Sequence, residues 1–243
     1  MKDIITGNLA PFGIRDANLS VSVVVWGDSH AMAALPAFDT LLKNKGLSGR
    51  AATHSSTAPV LGYFIEKQYG LSKDSLPFND AVVAYIEKKR VPHVVLIANW
   101  GMYDLSMKSA LIATVKKLVA IGSQPWIMLQ VPSHPVHVGK LLHRWPAALS
   151  DLNQKHLCGK PGTWNGIVDA DDKFLHLLTS AGARIIDPRA AFLNERRDLY
   201  QIVMDGKFLY RDGDHLSKFG AEKILIPILE RSFSPSLTTS QLK

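Results

Sequence analysis

Cysteine is nearly absent. Cys158 is the one cysteine in 243 residues, so no internal disulfide can staple the fold, and redox chemistry does not fix a compartment. No apolar run approaches about 18 residues, so no membrane-spanning helix is expected. The opening Met1-Lys-Asp-Ile-Ile-Thr-Gly7 lacks the apolar core of an export signal. Either the protein is cytoplasmic or the chain is a domain cut from something longer. Acidic residues are outnumbered, with 28 Lys and Arg against 21 Asp and Glu and a net charge of +7. Such a balance suits anionic partners such as charged glycans or membrane surfaces. The cations are scattered, however, and the densest runs (Lys88-Lys-Arg90, Lys116-Lys117) fall on expected helices, so they read as solvated faces and no nucleic-acid partner is expected. With 47% hydrophobic and 20% charged residues, disorder is excluded and a large core is available.

What is present is organised around Val21-Ser-Val-Val-Val-Trp26-Gly27-Asp28-Ser29-His30. A β-branched run of strand length leads into Gly-Asp-Ser, and a helical pattern follows from His30 to about Lys45. A strand turning sharply into a helix leaves the turn residue at the C-terminal edge of a sheet, beside unpaired helix N–H groups. Ser29 is therefore the candidate nucleophile.

Residues 1–20 have no periodicity and read as a lead-in or linker. Strands are expected at about 21–26, 49–54, 92–98, 125–131 and 183–187, with a last edge strand at Phe208–Tyr210. Helices are expected at about 30–45 (kinked by Pro36), 76–89 with Ser75 as N-cap, 106–121, 171–181, and Ser217 to about Arg231, bent by Pro227. The stretch 132–168 is long and irregular, with a helical pattern near 146–155, and reads as a lid, a binding insertion or an unrecognised helix. The tail 232–243, rich in Ser and Thr, reads as frayed. Alternating strands and helices without repeats indicate one domain over 21–231: an α/β fold, a three-layer α/β/α sandwich around a mostly parallel five-stranded sheet.

A serine nucleophile needs a base, and the base needs a carboxylate to hold its tautomer. Among nine histidines, His215 is distinguished by Asp212-Gly-Asp-His215, which offers acid and imidazole in one loop before the last helix. In a doubly wound sheet that loop shares the C-terminal edge with the end of the first strand.

Gly27-Asp28-Ser29, an Asn after the third strand, and Asp-x-x-His before the last helix resemble the SGNH (GDSL-like) hydrolases. These are esterases and acyl-transferring enzymes with a flavodoxin-like sandwich. The longer strings Trp26-Gly-Asp-Ser-His30-Ala-Met and Asp212-Gly-Asp-His215-Leu-Ser are similar to the SGNH domain fused to bacterial acyltransferase-3 membrane proteins, which O-acetylate cell-envelope polysaccharides such as the lipopolysaccharide O-antigen. The resemblance implies Ser29 as nucleophile, His215 as general base and later acid, and Asp212, by family spacing, as the orienting carboxylate. It implies an oxyanion hole of the Ser29 N–H and the Asn99 side chain. The family's second block supplies a glycine N–H; here His54-Ser55-Ser56 stands in its place, so Ser55 or Ser56 replaces it or the hole is weaker. Asn99-Trp100-Gly101 also departs from the usual Gly-x-Asn-Asp. By the same resemblance the chain is the periplasmic part of an inner-membrane protein, the partners being a transmembrane domain in the same parent chain that delivers the acyl donor, and a polysaccharide acceptor. No cofactor and no metal are expected.

Each residue also has a plainer reading. Ser29 can cap a helix, Asn99 can bond loop backbone, Asp214 can form the turn or be solvated, and His30 can be a structural or rim group. His134-Pro-Val-His137, with His143 and His156, has loose metal-ligand spacing but a proline between the ligands and no accompanying cysteine or carboxylate pattern. Trp100, Trp145 and Trp164 suit sugar stacking or packing equally. Asp169, Asp171 and Asp172 suit a helix start. A free-standing carbohydrate O-acetylesterase uses the same chemistry, and a catalytically weak glycan-binding module on a retained hydrolase fold is the reading from another class.

Overall fold

The computed structural model describes residues 8–134, 137, 138, 140 and 172–233. The sheet contains β1 (Ala10–Gly13), β2 (Val21–Gly27), β3 (Ser48–Thr53), β4 (His93–Ile97), β5 (Gln124–Met128) and β6 (Arg184–Ile186). Their order is β1-β3-β2-β4-β5-β6. All neighbours pair in parallel except β1, which runs antiparallel to β3. The sheet is thus mostly parallel as expected, with six strands rather than five. The extra strand lies within the presumed lead-in. Pro11 confines it to an edge, and it is held there by a non-local pair, Phe12 opposite Gly49, where the missing side chain leaves room for the ring.

Alternation along each strand feeds two cores. Val23, Val25, Val95 and Ile97 face α1 (Ser29–Asn44) and the C-terminal helices. Val24, Trp26, Val94 and Leu96 face α2 (Ser75–Lys89), α3 (Ser106–Ala120) and α4 (Asp172–Ser180). Helices therefore cover both faces. None of the described helices is long and apolar enough to cross a membrane.

The C-terminal segment comprises α5 (Lys218–Gly220), a π turn over Ala221–Leu225 and α6 (Ile226–Phe233). Pro227 lacks an N–H and would crowd the Lys223 carbonyl in a regular helix, and the wide turn falls just there. Pro36 is carried inside α1, which continues to Asn44 as one helix. Ser75 is not the cap expected of it. The helix follows directly from a 3₁₀ turn over Ser72–Asp74, and the Ser75 hydroxyl donates instead to the Tyr63 carbonyl at 3.2 Å.

The expected edge strand at 208–210 is replaced by a separate hairpin of β7 (Val203–Met204) and β8 (Lys207–Phe208). Asp205 and Gly206, with φ of 50° and 69°, form its two-residue turn. The expected helix near 146–155, most of the insertion 132–168 and nearly all of the tail lie outside the described residues.

The parallel strands follow the doubly wound order in which the chain leaves β2 for β3 and then crosses back to β4. The C-terminal ends of β2 and β4 flank that reversal, the place where such sheets build their sites.

Candidate active site

Ser29 opens α1 directly after β2, and Asp28 is the helix N-cap. The Asp28 carboxylate is fully buried and accepts from the His30 N–H at 2.8 Å, the Asn99 N–H at 2.8 Å and the Tyr103 hydroxyl at 3.0 Å. It thereby ties the turn after β2 to the turn after β4. Burial pushes its carboxyl above the usual range, opposed by the charge of His30 and by these bonds. Gly27 is required by close approach: a Cβ there would stand 1.7 Å from the Ile97 carbonyl oxygen.

The partners arrive from the other end of the chain. Tyr210 and Leu216 bridge the base of a tight loop, and the Ser217 hydroxyl caps α5 by accepting from the Gly220 N–H at 2.9 Å. At the loop tip Asp212 Oδ1 accepts from the backbone N–H groups of Asp214 (3.1 Å) and His215 (2.7 Å). The His134 N–H reaches across to the Gly213 carbonyl at 2.7 Å. So held, His215 lies with Nε2 2.7 Å from Ser29 Oγ and Nδ1 2.9 Å from Asp212 Oδ2. Residues 186 apart in sequence meet in one hydrogen bond. An acceptor at Nδ1 fixes the proton there and leaves the Nε2 lone pair to receive the Ser29 hydroxyl proton, the arrangement a serine nucleophile needs. Ser29 and His215 are half-buried, so a substrate can reach them.

Asp214, read from sequence as a turn or solvated residue, faces inward as well. Its Oδ1 lies 3.0 Å from the same Nδ1, and its Oδ2 lies 3.5 Å from Nε2 of His30. The nearby His215 imidazole, then that of His30, hold the Asp214 carboxyl well below the usual range. His215 is raised above an ordinary histidine, first by Asp214, against burial, and further by the charges of Asp214 and Asp212. By approach geometry Asp212 is the hydrogen-bond acceptor, through both oxygens, while Asp214 acts at ion-pair distance. His30, Asp214 and His215 offer ligand atoms within 4.8 Å of one another, enough to hold a cation. Both His215 nitrogens already contact Ser29 and Asp212.

The oxyanion candidates flank Ser29. Gly27 is in register with Thr53 of β3 on one side and Ile97 of β4 on the other, so Ser55 and Asn99 follow the strand ends on either side of the serine. The Asn99 amide donates 3.4 Å to Asp214 Oδ2. Ser56 adopts φ 51°, the left-handed turn conformation that glycine takes most easily. The loop bearing both serines is stapled by buried Asn79, whose amide donates to the carbonyls of Ala58 (3.0 Å) and Val60 (2.7 Å) and accepts from Trp26 Nε1 (3.0 Å).

Other expectations resolve differently. Trp100 is fully buried and donates to the Met128 carbonyl at 2.9 Å, so it packs rather than stacking on sugars. His134 is buried edge-on against Tyr210, its pKa pushed down to about 4 by burial, and it supports the Asp212 loop through its backbone. His30 is buried rather than at a rim. Asp172 does lie in the first turn of α4. His143, His156, Trp145, Trp164, Asp169 and Asp171 fall outside the described residues. Sequence reasoning missed the roles of Asp28, Asn79 and Tyr103. An Asp in the N-cap position was the one signal available for the first of these.

Among known protein families, residues 6–230 match the model of the SGNH domain (fused to AT3 domains). Among solved structures, the chain is similar to a Salmonella ser. Paratyphi A lipopolysaccharide acetyltransferase periplasmic domain, at 17% identity and TM-score 0.66, covering 97% of this chain and 93% of that one. It is also similar to a G-D-S-L family protein from Desulfitobacterium hafniense DCB-2, at 12% identity and TM-score 0.51, covering 86% and 97%. No curated protein matches.

Proposed function

The chain belongs to the family of SGNH domains fused to AT3 domains, and from that premise we propose that it transfers an acyl group, acetyl in the first instance, to a cell-envelope polysaccharide such as lipopolysaccharide O-antigen. The observation that carries the reading is the continuous relay Ser29 Oγ, His215 Nε2, His215 Nδ1, Asp212, with contacts of 2.7 and 2.9 Å. In the forward half-reaction His215 takes the Ser29 proton while Oγ attacks the donor carbonyl. The oxyanion is received by the Ser29 N–H, the Asn99 amide and the turn at Ser55. Collapse expels the leaving group, which takes the proton from His215, and leaves an acyl-serine. A sugar hydroxyl then gives its proton to His215 and attacks the ester, and Ser29 Oγ leaves taking that proton from His215, which regenerates both groups. Water in place of the sugar gives the carbohydrate O-acetylesterase activity of the same machinery.

In the parent protein the AT3 membrane domain delivers the acyl donor, and this domain works in the periplasm, tethered to the inner membrane. The structural neighbour described as a periplasmic lipopolysaccharide acetyltransferase domain supports that setting. One observation favours the glycan-binding alternative: one of the two Asn99 amide N–H groups is directed to Asp214, which leaves a single donor there for an oxyanion.

The test is hydrolysis of p-nitrophenyl acetate by the purified domain, with and without an unacetylated O-antigen polysaccharide. The proposal expects Ser29-dependent turnover and ester appearing on the sugar. Polysaccharide binding with wild-type and Ser29→Ala proteins equally inactive in both assays would favour the binding module.

A further inference from the structure

Asp214 is the member of the Asp212–His215 loop for which a single triad has no use. Three polar groups nevertheless converge on it. Its Oδ1 faces His215 Nδ1 at 3.0 Å, and its Oδ2 faces His30 Nε2 at 3.5 Å and accepts from Asn99 at 3.4 Å. His30 follows the nucleophile directly, and its side chain is only 4% exposed. Its Nε2 is sealed from water without a fully formed hydrogen bond, and Asp214 is the carboxylate it faces. The His30 ring lies 4.7 Å from that of His215, tilted by 40°. A buried nitrogen left short of its partner is costly unless the contact tightens at some stage of a reaction.

We propose that Asp214 and His30 are positioning residues that form a second carboxylate arm on His215, parallel to Asp212. Two carboxylates against one N–H repel unless each has its own donors. Here each does. Asp212 is held by the backbone N–H groups of Asp214 and His215, and Asp214 by Asn99 and His30. Both still reach Nδ1, so the imidazolium formed when Ser29 loses its proton is balanced from two sides. Among the described residues, further charged groups beside the cluster are Arg211, whose Nε is 3.6 Å from Asp212 Oδ2, and Asp28, which accepts the His30 backbone N–H. The inference rests on Ser29 and His215 acting as nucleophile and base.

The test is the NMR titration of the His215 imidazole, together with p-nitrophenyl acetate kcat/KM, in wild type, Asp214→Asn, His30→Phe, His30→Gln, Asp212→Asn and the double Asp variant. Asp214→Asn removes a facing charge and lowers the midpoint by about one pH unit. His30→Phe keeps the ring but frees Asp214 to act on His215 alone, so the midpoint rises. His30→Gln keeps a donor and stays near wild type. Either Asp variant alone loses about tenfold in rate and the double variant about 10⁴-fold, the loss expected when a triad loses its carboxylate entirely. An unchanged midpoint and rate in Asp214→Asn, with Asp212→Asn alone carrying the whole loss, would overturn the proposal. So would midpoint shifts of the same sign in Asp214→Asn and His30→Phe, which a merely structural disturbance would give. The midpoints need no turnover, so they decide the matter even if Ser29→Ala proves fully active and the acyl-serine reading falls.

Discussion

Asn79→Asp tests how firmly the loop beside the nucleophile is built. Asn79 is completely buried. Its orientation is forced by chemistry, since Trp26 Nε1 can only donate and the carbonyls of Ala58 and Val60 can only accept. Aspartate keeps the shape and the acceptor for Trp26, but it sets a second oxygen against both carbonyls. The charged form is then disfavoured by burial and by two carbonyl dipoles, and a rise of about 2–3 units in its pKa is expected. The folded state then binds protons more tightly than the unfolded one, so stability falls as pH rises from the ordinary carboxylate value toward the raised one. At neutral pH the loss is about 4–7 kcal/mol, the shift's share of roughly 3–4 kcal/mol added to the deficit of the protonated form, a large part of the roughly 5–15 kcal/mol that holds a domain together. At pH near 4 the protonated acid donates to one carbonyl, and the deficit shrinks to about 1–3 kcal/mol. Urea denaturation followed by tryptophan fluorescence at both pH values measures the two deficits. A variant as stable as wild type at neutral pH, or with a deficit independent of pH, would refute the staple.

Two further predictions concern the site. Gly27→Ala places a Cβ against the Ile97 carbonyl, forcing apart the ends of β2 and β4 that align Ser29 with Asn99; about a hundredfold loss in kcat/KM is expected, and wild-type kinetics would contradict the close approach. The base must be neutral to act, and His215 is raised above the ordinary histidine value, so the acid limb of kcat/KM should lie above pH 6.5. The same shift stabilises the fold below the ordinary histidine value and loses that contribution as pH rises through the raised one, which thermal denaturation across that window would read.

Much of this arrangement was legible in the amino-acid sequence because it is local. The β-branched run before Gly27, the helical spacing after Ser29 and the glycines that follow α1 and α3 each act over a few residues. Together they lead to a mostly parallel sheet with its site at the reversal between β2 and β4. The Asp-x-x-His spacing was equally local, and the doubly wound topology brings it to Ser29. What escaped depends on partners distant in sequence. Strand β1 exists because Phe12 finds Gly49, and Asn79 is meaningful only once Trp26 and the 58–60 loop surround it. Asp214 gains its role from His30, far earlier in the chain. The hairpin at Asp205-Gly206 is a different case: that dipeptide is a strong local turn signal, and what the local pattern around Phe208–Tyr210 does not show is that Phe208 pairs back onto Val203 instead of joining the main sheet.

The central claim is that Ser29 carries the acyl group, and intact-protein mass spectrometry after brief mixing with p-nitrophenyl acetate, followed by peptide mapping, tests it most directly. The account predicts one acetyl group on Ser29 in wild type, and none in Ser29→Ala or, on the same timescale, in His215→Ala. Acetyl groups on other residues, or equal labelling of wild type and Ser29→Ala, would contradict it.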